Sequence, residues 1–177
     1  ILMEWNPAID VAQELERVGF PYVIANLETD MDLCGVSVDI KEVGRQAGEQ
    51  IVRCGYARAL VLAGSRRRVH FQQMKRGLET GLGGVEAEWV ECVADQAHAR
   101  AALQARLESG TAPEAIFSYG DERTLATLDV LRERGLSAPQ DLGLLCYGRT
   151  TPAVREARVS ALVQPSVQVG RVAVDLL

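Results

Sequence analysis

The chain has 177 residues, enough for one ordinary domain or two small lobes sharing a core. It is 47% hydrophobic and 24% charged, a balance that excludes disordered and fibrous classes. Its 19 Lys+Arg against 24 Asp+Glu leave a net charge of −5, too acidic to grip duplex DNA unaided, because phosphate contacts need clustered positive charge.

Taken in chain order, short β-type runs alternate with helical stretches. Strands are predicted over residues 1–5, 22–26, 35–39, 59–64, 88–92, 115–120 and 142–148. Several are nearly continuous apolar runs, as expected of parallel strands covered on both faces. Between them, Ala8, Ala12, Leu15 and Val18 make one helical stripe. Ile40, Val43, Gly44, Ala47, Gly48, Ile51 and Val52 make a second, whose small central residues let a neighbour approach closely. Phe71, Met74 and Leu78 mark a third helix, Ala99 to Leu107 a fourth, and Leu125, Leu128 and Leu131 a fifth. Val167, Gly170, Val174 and Leu177 mark a last one. Glycines at 19, 55, 81, 110 and 135 are read as helix stops. The chain opens inside a strand pattern and ends inside a helical one, so it is expected to be part of a longer protein.

No apolar run reaches the roughly 20 residues of a membrane span. The first residues lack the basic start and small-residue cleavage site of an export signal, so a cytoplasmic location is expected. Cys34, Cys54, Cys92 and Cys146 are widely spaced and lie in or beside apolar runs, where free thiols are expected to be buried. With His70 and His98 as the only histidines, neither a metal site nor a cofactor is expected.

Strand–helix alternation of this kind specifies an α/β fold, in which ligands meet the carboxyl ends of the strands. The candidate positions are therefore residues 4–6, 26, 65–68, 120–121 and 148–151. No phosphate loop, dinucleotide-binding glycine pattern or nucleophile elbow occurs, and Gly81 to Gly84 is read as a turn. Ser65 is read as a helix N-cap, followed by Arg66, Arg67 and Arg68. The three guanidiniums fit a carboxylate or phosphate, and fit equally a solvated basic loop paired with nearby acids. Trp5 ends a strand on the cleft side and is a candidate for stacking on a ligand, while Trp89 is read as core. Asp121 opens a helix as a cap or first-turn acid.

Longer motifs bring in a resemblance. Pro113 to Asp121 (PEAIFSYGD) is similar to P-x-A-[IV]-[FV]-x-x-[NG]-D, and 131–142 (LRERGLSAPQDL) to L-x-x-x-G-[LI]-x-[VI]-P-x-D-[IL]. Leu144 to Gly148 resembles I-x-G-[FY]-D, Val159 to Pro165 resembles L-T-T-[IV]-x-Q-P, and Gly19 to Val23 resembles G-[IL]-P-[VL]-V. Val38-Asp39 with Gly44, Ala47 and Gly55 completes the order, which is that of the effector-binding core of the LacI/GalR (lactose-repressor) family. The resemblance covers essentially the whole chain.

The resemblance implies two Rossmann-like lobes with parallel sheets, of the periplasmic-binding-protein type: 1–57 in a partial first lobe, 58–161 in the second, and 162–177 returning to the first. It implies a small effector held between the lobes, a homodimer, and operator DNA read by a helix-turn-helix outside this sequence. The family's arginine in R-x-x-G-[FW] is here Met74, and its aspartate after the [FY] strand is Gly148, followed by Arg149. Losing both bidentate groups predicts poor binding of ordinary sugars and, with Arg66, Arg67, Arg68 and Arg149 remaining, either an anionic effector or a degenerate pocket. On this resemblance the ligand-binding candidates are Trp5, Asn6, Asn26, Arg66, Arg67, Met74, Asp121, Gly148 and Arg149. The alternatives are a solute-binding protein of the same fold and an α/β enzyme taking a phosphorylated substrate at residues 65–68.

Overall fold

The computed structural model describes residues 1–3, 6–27, 31–92, 96–109, 112–149 and 151–177. Their contacts divide them into two compact units, Ile1–Asp39 with Gln164–Leu177, and Ile40–Val163.

The first unit is built on three short parallel strands, β1 (Leu2–Met3), β2 (Ile24–Ala25) and β3 (Gly35–Val36), in that spatial order. Because successive side chains point to opposite faces, the central strand feeds two cores. Ile24 packs with Ala12 and Tyr22, and with the partly buried Leu15, on the side covered by α1 (Asn6–Arg17). Val23 and Ala25 pack instead with Val169 and Ala173 of α7 (Ser166–Asp175). The last helix thus lies where expected, but the face it buries is not the predicted one. Val167 is 72% exposed and Val174 61% exposed. Valines at 167, 169, 172 and 174 put apolar groups around much of this helix, so periodicity could not choose the buried side.

The second unit holds five parallel strands, β4 (Arg58–Ala63), β5 (Glu86–Glu91), β6 (Ala115–Tyr119), β7 (Gly143–Gly148) and β8 (Ser160–Val163), ordered β5-β4-β6-β7-β8. The chain steps outward from β4 to β5 and then back across β4 to β6. With right-handed crossovers, that reversal puts α3 (Val69–Leu82) on one face and both α4 (Gln96–Glu108) and α5 (Asp121–Glu133) on the other. Leu60, Leu62, Ile116 and Leu144 pack with Leu103, Val130 and Leu131 of α4 and α5. The alternating residues Val61, Phe117 and Leu145 are buried as well, so the continuous apolar runs are covered on both sides. Strand β8 and the short helix α6 (Pro152–Glu156) were not picked out by hydrophobic pattern. Both are too brief to display a period.

Helix α2 (Ile40–Arg53) packs along α3 at backbone distance. A Cβ built on Gly48 would lie 2.6 Å from the Leu82 nitrogen, and one on Gly77 would run into the Lys41 carbonyl. Gly44 and Gly81 are equally closed, against the backbones of Met74 and Arg45. Two glycine pairs at i, i+4 spacing therefore face each other. This contact draws α2 into the second unit, so the division falls after Asp39 rather than near Ala57. It also places Gly81 inside α3. The left-handed stop is Gly83, at φ 56°. Cys92 and Cys146 are buried as expected, whereas Cys34 and Cys54 are exposed.

Candidate functional site

The carboxyl ends of β5, β4, β6 and β7 lie side by side, and three of the five predicted stretches, those beginning at Ser65, Gly120 and Gly148, start there. At the β6 end, Gly120 donates its N–H to the Tyr147 carbonyl at 2.8 Å and Asp121 opens α5. Asp121 accepts the Arg149 backbone N–H at 2.8 Å on Oδ1 and Arg149 Nε at 2.6 Å on Oδ2. Both carboxylate oxygens are therefore engaged by the residue that follows β7. The same contact raises the pKa of the Arg149 guanidinium further above its ordinary value. Gly148 makes this possible, because a Cβ at that position would overlap Asp121 Oδ1. The aspartate expected from the family pattern is absent at 148, and the neighbouring carboxylate of Asp121 fills the space beside it.

Arg123, which sequence analysis passed over, fastens this edge together. Its Nε and Nη2 donate to the Cys92 carbonyl at 3.1 and 2.7 Å, and its Nη1 donates to the Tyr119 carbonyl at 3.1 Å. One half-buried guanidinium thus ties the end of β5 to the end of β6. Truncating it leaves those carbonyls short of donors, and Arg123→Ala is expected to cost about 2–3 kcal/mol in urea unfolding, with Arg123→Lys recovering part of the loss. Equal stability of Arg123→Ala and the parent would refute the clamp.

The loop after β4 behaves differently from its expectation. The Arg66 N–H donates to Glu91 Oε1 at 3.1 Å, its Nε lies 3.6 Å from Glu91 Oε2, and its Nη2 reaches the Trp89 carbonyl at 3.4 Å. Arg66 is thereby committed to the end of β5, so the three guanidiniums do not form one fork. Ser65 is not the helix cap either. Its Oγ accepts the Arg67 N–H at 3.3 Å within a turn, and Arg68 occupies the cap position. Arg67 is exposed, with no ion pair to a described residue.

Met74 is fully buried. It lies with Phe71 and Leu78 on the core face of α3 and offers a ligand no surface, which corrects its place among the binding candidates. Trp89, expected in the core, is only partly buried because β5 is an edge strand. Its ring meets Phe71 edge-on at 5.6 Å, with Lys75 Nζ 5.8 Å from its centroid. In the first unit, Asn26 follows β2 at φ 60°, a backbone region that asparagine tolerates better than most residues. Its Oδ1 accepts from Gln164 Nε2 at 3.1 Å. Asn6 opens α1, and Trp5 lies outside the described residues.

Two aromatic residues that sequence analysis did not single out sit between the loops. Tyr119 and Tyr147 are paired across β6 and β7, and their rings stack at 5.2 Å. Burial pushes the Tyr147 hydroxyl up to about 12, and burial together with the Asp121 charge pushes the Cys146 thiol up to about 11. Neither ionises near neutrality, and each acts there as a neutral polar group rather than a nucleophile. Among the described residues no group of three or more His, Cys, Asp or Glu could hold a metal ion, and no helix is long and apolar enough to cross a membrane.

The family model described as periplasmic binding protein-like domain matches residues 51–177. Catabolite control protein A of Priestia megaterium is 26% identical over 185 residues, covering 100% of this chain and 56% of that protein. The HTH-type transcriptional regulator CelR of Thermobifida fusca is 28% identical over 174 residues, covering 93% of this chain and 51% of the relative. The chain therefore spans about half the length of the curated relatives it matches. Among solved structures, a regulatory protein of the LacI family from Chloroflexus aggregans superposes with TM-score 0.85 at 24% identity, over 99% of this chain and 66% of the other. A CelR–cellobiose complex superposes with TM-score 0.83 at 24% identity, over 99% of this chain and 57% of that one.

Proposed function

The chain belongs to the periplasmic binding protein-like family, whose fold it shares with LacI-type regulators, and from that premise we propose that it is the effector-sensing part of a cytoplasmic transcription regulator rather than an enzyme. Its partners on this reading are a small anionic effector, a second copy of the chain, and operator DNA bound by a segment outside this sequence. The observation that supports it best is the convergence of Asp121, Arg149 and Arg67 on the carboxyl ends of one parallel sheet. That is the position at which α/β sheets receive ligands.

The chemistry of these loops favours an anion. Met74 is withdrawn into the core and Gly148 has no side chain, so two groups suited to hydroxyl recognition are missing. Among the described residues the Arg149 side chain is held by Asp121, and it is 74% exposed, so an incoming carboxylate or phosphate can take its Nε in exchange. Arg67 lies on the loop after β4 and has no ion pair to a described residue.

The test is a thermal-shift panel of neutral sugars, sugar phosphates, nucleobases and carboxylates. A ligand at 100 times its Kd adds about 2.7 kcal/mol of stability. Anionic members are expected to raise Tm, and Arg67→Ala and Arg149→Ala to abolish most of the shift. Stabilisation by neutral sugars alone would overturn the anion assignment. The whole protein should bind DNA with an affinity that the same ligand changes, and an unaltered affinity would overturn the regulatory role.

A further inference from the structure

A cavity of about 130 Å³ opens at the amino ends of β6, β7 and β8 in the second unit, the far end of the strands from Asp121 and Arg149. Its apolar wall includes Ile51 of α2, Leu144 and Leu145 of β7, and Val159. The polar side chains at its lining are those of Arg158, Cys54, Tyr56, Gln50 and Ser160. In a chain of net charge −5, none of the described lining residues is acidic, and the one charged residue among them is Arg158.

Three features give this cavity a chemical preference. Its size is close to that of the roughly 150 Å³ apolar cavities that hold a single benzene ring. Its shape is fixed on one side by the Tyr56 ring, which lies so near Gly143 that a Cβ there would be 2.5 Å from Tyr56 Cε2. Its one cation has no ion pair with a described residue, and its backbone sits at φ 53°, a conformation unusual outside glycine. A planar guanidinium with free donors matches a carboxylate in two-point contact.

We propose that this cavity binds a small aromatic carboxylate, with the ring against Ile51, Leu145 and Val159 and the carboxylate on Arg158. The site is separate from the loops that carry the proposed effector site, so either reading can fail without the other.

Cys54 supplies the readout, because its thiol lines the cavity and is exposed, while Cys34 is an exposed thiol of the other unit. The protein is treated with iodoacetamide in the presence of benzoate or of benzyl alcohol, its uncharged counterpart, and both thiols are followed by peptide mass spectrometry. Benzoate is expected to slow labelling of Cys54 several-fold and leave Cys34 unchanged, with benzyl alcohol giving little protection. Arg158→Gly removes the charge at a position where glycine adopts the observed backbone freely, so Tm should hold or rise while benzoate affinity falls at least about tenfold. Arg158→Lys should retain part of the affinity. The proposal is overturned if saturating benzoate leaves Cys54 labelling unchanged, if benzyl alcohol protects equally, or if Arg158→Gly binds benzoate as tightly as the parent.

Discussion

Replacing Gly77 with alanine is expected to destabilise the protein by about 3 kcal/mol or more, the upper end of what overpacking costs. The added methyl would meet the Lys41 carbonyl oxygen and lie 2.8 Å from the Lys41 carbonyl carbon and 2.9 Å from the Arg45 nitrogen. These are backbone atoms of α2, which no rotamer change can move aside. The helices must separate, and the neighbouring close contacts at Gly44, Gly48 and Gly81 are lost with them. Gly170 is the control. It sits in the middle of α7 with nothing within 4 Å of a built Cβ, so Gly170→Ala should gain about 0.5–1 kcal/mol from helix propensity. Urea midpoints of the two variants check the contrast. Similar small shifts in both would mean that α2 and α3 do not meet through their glycines.

That helix pair also shows what could be read in advance. The small stripe at Gly44, Ala47 and Gly48 announced a close approach, since small residues at one-turn spacing have little other use on a helix face. It did not announce the partner, because Gly77 and Gly81 lie some thirty residues away and only the fold brings them opposite. The strands of the second unit were legible for a related reason. Apolar runs such as Ala-Leu-Val-Leu-Ala at 59–63 admit few alternatives to a doubly covered parallel strand. In the first unit the same patterns mark strands of only two residues each, since patterning locates a strand but does not say how many of its residues find a partner.

The candidate site was legible in position more than in chemistry. Strand carboxyl ends locate Asp121, Gly148, Arg149 and the loop at 65–68 without any structure, because topology alone assigns them there. What these groups do depends on pairings between distant residues. Arg66 carries the same charge in isolation whether it waits for a ligand or grips Glu91, and 25 positions separate the two residues. Arg123 went unnoticed because an arginine two residues into a helix usually points to solvent. Its role follows from carbonyls at the ends of β5 and β6, which no sequence pattern marks. Met74 illustrates the opposite error. It was named as the residue standing in place of the family's arginine, yet its own spacing with Phe71 and Leu78 already put it on the core face.

Gly148→Asp, which restores the residue of the family pattern, is expected to weaken the fold by about 2 kcal/mol at neutral pH rather than repair the site. The new Cβ would collide with Asp121 Oδ1, so Asp121 must turn out of its two contacts with Arg149. Two carboxylates would then share one side of a strand end, where a single guanidinium cannot engage both as it now engages one. Their mutual repulsion exists only where both are charged, so the penalty is smallest in acid and grows as pH rises towards neutrality. Urea unfolding at pH 4.5 and 7.5 should therefore show a larger deficit at the higher pH. The steric part should persist at both. In an Asp121→Asn background the pH-dependent part should vanish, since the second charge is gone. A deficit independent of pH, or one unaffected by Asp121→Asn, would separate residue 148 from Asp121 and remove the Asp121–Arg149 pair from the description of the site.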